Sequence, residues 1–313
     1  MKKLTLIVTV VLATVGLAYA GDGRIELSQL DFGSPPYVIS ESGSYVFTEN
    51  VTVTSNGVDG ISVIASNVTI DLNGFTLRGP GAAGDDGITQ PSGGESLTVR
   101  NGIVTGWGDG STEYGIEALG RNNRIEKIHA SHNGVGIKTG LAGHVLSCAA
   151  FANLSTGIRT DDSALVNDCT TYNNGSYGIR TEAGSTVALC TSYSNSLHGI
   201  SVSRGSTVFA CSAYENLSSG INGANGSSYN GCSAFQNGSH GIRLAENSTV
   251  NSVSAYDNGA NGISGGRGCM VSECSAANNE EEGIIVDDGS TVRDCTTRSN
   301  TKEMVYGYRA NAW

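Results

Sequence analysis

The stretch GIRTEAGSTVALCTSYSNSLH, Gly178 to His198, decides the fold. It holds three short runs of strand formers, GIRT, STVAL and CTSY, separated by Gly, Asn and Ser. No run is long enough for a helix, and none shows a 3.6-residue apolar period. Strand formers between turn residues read as strands. The unit then repeats. Gly-Ile recurs as Gly115-Ile116, Gly136-Ile137, Gly157-Ile158, Gly178-Ile179, Gly199-Ile200, Gly220-Ile221, Gly241-Ile242, Gly262-Ile263 and Gly283-Ile284, always 21 residues apart, and Met304-Val305 takes the slot one period on. A fixed period of this length marks a solenoid. Three strands per 21-residue coil, stacked by parallel pairing at about 4.8 Å per step, predict an all-β single domain: a right-handed parallel β-helix.

Other columns keep the same register. Asparagine recurs from Asn153 and Asn174 through Asn195 to Asn300, and cysteine from Cys148 and Cys169 to Cys295 with Val253 in one step. Valine recurs from Val145 to Val292 with Tyr229 as its exception. Ile and Val are expected in the narrow lumen, with Cys and Ala at its corners. Asn tolerates the left-handed conformation of a tight bend and can bond to the Asn one coil up. The Gly before each Ile is expected to supply a special backbone angle. Phe151, Tyr172, Tyr193, Tyr214, Phe235 and Tyr256 form a further column. Alternation along the strand turns it outward, either as mutual stacking or as a binding track.

The chain opens MKKLTLIVTVVLATVGLAYA. Two lysines, an apolar stretch and the small-residue site Ala18-Tyr19-Ala20 read as a secretory leader cleaved after Ala20. Residues 21–45 are expected to cap the first coil, 46–305 to form the β-helix and 306–313, with Tyr306, Tyr308 and Trp313, to close the far end. Nothing after the leader could insert in a membrane. The net charge is −11 before the leader with its two lysines is removed, which excludes nucleic acid as a natural partner. Seven of the eight cysteines share one column. In-register parallel strands give a poor disulfide dihedral, so these read as reduced, small apolar fillers. Cys269 stands outside the column and is expected to be partly exposed.

Before Gly115 the period stretches. Gly60-Ile61, Gly87-Ile88 and Gly115-Ile116 are 27 and 28 residues apart. The surplus lies in two loops, Gly79–Asp86 and Gly106–Tyr114, which should emerge side by side. From NVTIDLNGFTLRG (Asn67 to Gly79) onward, with repeats of the form V-x-x-C-x-A-x-x-N-x-x-x-G-I, the chain resembles bacterial secreted right-handed β-helix repeat proteins of the pectate-lyase-like superfamily. The resemblance covers roughly residues 36 to 305. It implies the fold and a carbohydrate-related role, since members of that superfamily cleave, epimerise or bind polysaccharides. The polygalacturonase signature is incomplete here: Asp-Asp occurs, but Gly-His-Gly and Arg-Ile-Lys do not. The Arg-x-Pro-x-x-Arg segment of pectate lyases is also absent.

The residues suited to chemistry gather at the two loops and the adjoining strands. The loops offer Asp85, Asp86, Asp109 and Glu113, with Trp107 and Tyr114 as sugar platforms. The outward position after Gly-Ile offers Glu117, Lys138, Arg159 and Arg180 on consecutive coils. Arginines grip carboxylates through paired hydrogen bonds. Asp85, Asp86 and Asp109 are expected ligands for calcium, which takes oxygen donors. His198 and His240 share a column two coils apart, too far for one metal ion. These features fit a secreted protein that binds polysaccharide without catalysis. They equally provide the kit of a polysaccharide lyase, which needs a neutralised uronate and a base for its α-proton.

Overall fold

The computed structural model describes residues 23–81, 84–110 and 112–302, and the backbone of Val305–Tyr306 and Asn311–Ala312. The leader, Tyr308, Trp313 and the side chain of Tyr306 lie outside the described residues. The chain forms a parallel β-helix of three short strands per coil. The strand that begins with the Gly-Ile pair stacks into a thirteen-stranded parallel sheet. The other two strands of each coil belong to a 24-stranded sheet, joined where Thr98–Trp107 and Arg124–Ser131 run unbroken through both positions. One 3-10 turn, Gln29–Phe32, is the only helical element among the described residues. Among the described residues no helix is long and apolar enough to cross a membrane. The first coil begins inside the expected cap: Ile25–Leu27 pairs in parallel with Tyr45–Phe47.

The register follows the 21-residue period, with Ile158 on Ile179 and Ile179 on Ile200. The last coil slips by one, because Val305 pairs with Ile285 rather than Ile284. A terminal coil is held from one side only. Ile158, Ile179, Val166 and Val187 are fully buried in the lumen. Tyr229 also points inward. Its hydroxyl occupies the space a side chain at Gly223 would need.

The corners explain the polar columns. Three corners of the repeat have one left-handed residue followed by a buried side chain, and the asparagine, serine and cysteine columns there accept a backbone N–H from the preceding coil. Asn174 donates its backbone N–H and its Nδ2 to Asn195 Oδ1, at 3.1 and 2.9 Å, and its Nδ2 also reaches Ala150 O at 3.0 Å. This ladder runs from Asn133 to Asn300. A serine ladder repeats the device, with Ser185 N–H to Ser206 Oγ at 3.2 Å. The cysteine corner does so with sulfur, as in Cys190 N–H to Cys211 Sγ at 3.5 Å.

Two expectations change here. Positive φ falls not on the ladder asparagines but one residue earlier, at Ser194 (53°), Glu215 (54°) and Gln236 (53°). The Asn itself must turn its amide inward along the axis, so its neighbour takes the bend. The Gly before Ile is required sterically: a Cβ on Gly157 would lie 2.8 Å from both Asn174 Nδ2 and Gly178 O. Its φ is not in the left-handed range.

The six aromatics form the outward stripe, ring on ring, with centroids 4.8–5.0 Å apart and planes within 0–8° of parallel. Their faces cover one another and only edges meet solvent. A sugar therefore has no ring face to lie on within the stack, which favours mutual stacking over a binding track.

All eight cysteines are free. Cys269 is fully buried rather than partly exposed. It occupies a slot in the serine ladder, its N–H bonded to Ser290 Oγ at 3.0 Å. Cys295 alone is half-buried, and hydrogen bonding from Cys274 draws its thiol down to about 7 against a burial effect that raises it. A thiol reagent should therefore label Cys295 first in native protein. Cys148, Cys169, Cys190, Cys211, Cys232, Cys269 and Cys274 should react only after denaturant is added; rapid labelling of all eight would overturn the buried column.

Asn195→Leu should cost more stability than Asn300→Leu. Asn195 accepts two bonds from Asn174 and donates to Asn216 and Thr171, so its loss strands several buried groups at about 1–3 kcal/mol each. Asn300 serves one neighbouring rung. Equal losses of melting temperature would contradict the ladder.

Candidate functional site

The outer face of the thirteen-stranded sheet carries one continuous column. Glu117 lies beside Lys138, Lys138 beside Arg159, and Arg159 beside Arg180. The column continues through Ser201, Asn222, Arg243 and Ser264. One flank is the column just before each Gly-Ile, which includes Asp59, Asp86, Tyr114, Tyr177, His198 and His240. The opposite flank holds Asp161 and Glu182.

Most of the expected residues meet at the N-terminal end of this face. Asp59, Asp85 and Asp86 bring carboxylate oxygens within 4.8 Å of one another. Asp86 is 8% exposed and accepts the Tyr114 N–H at 2.7 Å. Asp59 in turn accepts the Asp86 N–H at 3.3 Å. Burial pushes the Asp86 carboxyl up to about 8; the Tyr114 N–H opposes this, and the negative charges of Glu117, Asp59 and Asp85 add to it. Burial likewise raises Glu117, opposed by Lys138. The Tyr114 phenol is raised by burial and lowered by Arg159.

The cations differ in how they are satisfied. Lys138 is 5% exposed and ion-paired with Asp161. Arg180 lies 3.8 Å from Glu182 and 5.4 Å from the Tyr177 ring centroid. Arg159 Nε is buried without a hydrogen-bond partner. It is a charged donor left unmet at the centre of the face.

Three expected residues belong elsewhere. Trp107 is fully buried and cannot serve as a sugar platform. Gly106 adopts φ 79°, which breaks the strand alternation and turns the indole into the lumen. There it fills space left by Gly60 and Gly79, where a Cβ would fall 2.7 and 2.6 Å from the ring. Asp109 is exposed and lies outside the carboxylate cluster; Asp59, one coil earlier, takes its place. The signal for Asp59 was its position before Gly60-Ile61, equivalent to Asp86 before Gly87-Ile88. Glu113 folds onto its own loop, with Oε1 bonded to Thr112 Oγ1 at 2.7 Å and its Cβ against Gly108. Asp71, buried in the DLNG phrase, is structural: Arg100 pairs with it at 3.0 Å, and the Asn73 N–H and Asn101 Nδ2 also donate to it.

Residues 84–209 and 165–302 match the family model of the right-handed beta helix region. The chain belongs to that family. No curated protein sequence matches it. Among solved structures, the A-module of the Azotobacter vinelandii mannuronan C-5 epimerase AlgE4 is 14% identical, with a TM-score of 0.62 over 93% of this chain and 89% of that one. The periplasmic alginate epimerase AlgG is 16% identical at a TM-score of 0.62, over 93% and 84%. The Dettilon tailspike protein is 14% identical at 0.61, over 90% of this chain and 60% of its own. At these identities the β-helix shares the fold with them.

Asp86 makes a testable link to pH. Its folded-state pKa is raised, so its contribution to stability is full below the ordinary carboxylate range and is lost as pH rises through about 8. Asp86→Asn keeps an acceptor for the Tyr114 N–H and removes the charge. The variant's melting temperature relative to wild type should rise between pH 5 and pH 9. A difference that stays constant over that range would show that Asp86 is not protonated in the fold.

Proposed function

We propose that this protein is exported and binds an acidic polysaccharide along the outer face of its thirteen-stranded sheet, without catalysis. Arg159 carries the reading. Its buried Nε has no partner among the described residues, and an unmet buried charged donor is costly unless a ligand completes it. A uronate carboxylate supplies the matching acceptor pair. Lys138 and Arg180 sit one coil to either side, and the leader-like first residues fit an extracytoplasmic site of action. The carboxylates of Asp59, Asp85 and Asp86 suit a hard cation such as calcium, which would bridge them to a ligand carboxylate. The epimerase names of AlgE4 and AlgG lend support to a carbohydrate ligand.

Asp86 favours a second reading, as a lyase or related carbohydrate-active enzyme. A carboxyl that titrates near 8 beside Tyr114 and Arg159 could take the proton α to a neutralised uronate. Elimination would then break the glycosidic C–O bond and leave an unsaturated sugar.

A glycan array probed with mature protein, with and without calcium, tests the first reading. Acidic glycans should bind, and Arg159→Met should weaken them by about tenfold or more. Arg298→Met, on another face, should leave binding unchanged. Binding of neutral glycans alone, or no effect of Arg159→Met, would refute it. Appearance of an ultraviolet-absorbing unsaturated product, abolished by Asp86→Asn, would replace the binding reading with the enzymatic one.

A further inference from the structure

The middle of the same face holds donors that the Lys138–Arg159 region does not use. Lys138 and Arg180 each face a carboxylate on the flank, Asp161 and Glu182. Arg243 has Ala245 where Arg180 has Glu182, and Gly266 on the next coil where Lys138 has Asp161. Arg243 is exposed and stands between Asn222 and Ser264 in the outward column. Among the described ion pairs none involves it.

His198 and His240 lie on the adjoining flank. His198 Nδ1 accepts the Ser219 N–H at 3.1 Å, and His240 Nδ1 accepts the Asn261 N–H at 3.3 Å. A neutral imidazole has one donor and one acceptor nitrogen. With Nδ1 accepting, the proton must sit on Nε2. Burial and then the charge of Arg243 lower both imidazoles below the ordinary histidine range, so both are neutral at pH 7. Neither Nε2 is a buried atom lacking a partner. The corner bond that stacks the coils thus fixes each ring as a donor of known tautomer. Beyond Arg243 the face sinks into a hollow lined by Asn261, Ser264, Gly265, Gly266 and the acidic Asp287. Glu281 is the acidic group whose charge acts on His240.

We propose that Arg243, flanked by the Nε2–H groups of His198 and His240, forms a second oxyanion-binding subsite in which Arg243 grips one carboxylate of the same acidic polysaccharide and the two imidazoles, two coils apart, donate to separate oxygens along it. This rests on reading the face as an acidic-glycan binder. Arg243 lies four coils from Arg159, about 19 Å at the inter-strand spacing. One ligand reaches both sites only if it is several sugars long. The subsite therefore selects for length and holds the chain parallel to the solenoid axis.

The test uses the mature full chain with two probes, digalacturonate and decagalacturonate. Long-range proton–nitrogen spectra should first show His198 and His240 as Nε2–H tautomers, and saturating decagalacturonate should shift both Nε2 signals. Calorimetry should show Arg243→Met weakening decagalacturonate by about tenfold. Arg243→Lys should recover part of that loss, because the charge remains and the fork does not. In an Arg159→Met background, residual digalacturonate binding should disappear on adding Arg243→Met. Unchanged decagalacturonate affinity in Arg243→Met, or unmoved Nε2 signals at saturation, would remove the second subsite. If Arg159→Met still weakens binding in that case, the reading of the face survives. If wild type binds neither probe, both proposals fall together.

Discussion

Everything in this molecule depends on how a backbone N–H is satisfied where a coil turns a corner. Strand pairing provides for the straight segments, but at a bend the N–H points along the axis with no strand carbonyl opposite. Here the side chain of the next coil answers it, as Oδ1 of Asn195, Oγ of Ser206 or Sγ of Cys211. A buried amide without a partner costs about 1–3 kcal/mol, and the requirement recurs from coil to coil along the asparagine and serine columns. This keeps Asn, Ser and Cys in columns and holds the period at 21 residues. An insertion within a coil would displace its acceptors from the N–H groups they serve.

A corner bond that runs the opposite way, from a backbone N–H to a side chain of the preceding coil, has a consequence for chemistry. Before the Gly-Ile pair the acceptor is not one repeated residue type: Asp59, Asp86, His198, His240 and Asn261 all fill the role. A position that only needs an acceptor can be occupied by a titratable group. That group is then half-buried, fixed in orientation and shifted in pKa, with its remaining polar atoms turned to the open face. The raised carboxyl of Asp86 and the lowered imidazoles of His198 and His240 arise this way. The scaffold bond and the functional donor or acceptor are two ends of one side chain.

The opposite design governs the aromatic stripe. Phe151 to Tyr256 present a large aromatic surface in sequence terms, yet their rings are consumed by stacking on each other. The charged face is left open because cations and carboxylates on neighbouring coils pair only in part: Lys138 has Asp161, whereas among the described ion pairs none involves Arg159 or Arg243. Availability for a ligand is set by what the neighbouring coil leaves unsatisfied.

Periodicity by itself determined the parallel β-helix, the inward Ile and Val, the asparagine ladder, the reduced cysteine column and the outward row from Glu117 to Arg180. Each is a repeat property, and one coil predicts the next because the spacing between coils is fixed by strand pairing. The tertiary structure decided what happens where the repeat is broken. Trp107 turned inward because Gly106 reverses the alternation and Gly60 and Gly79, distant in sequence, leave room for the indole. Asp59 rather than Asp109 joined Asp85 and Asp86, because equivalence along the axis, not nearness in a loop, brings carboxylates together. The bend fell on Ser194 rather than Asn195, since a side chain committed to the coil above cannot also take the turn. The tautomers of His198 and His240 depended on an N–H from another coil, a partner that becomes a neighbour only once the chain has wound around the axis.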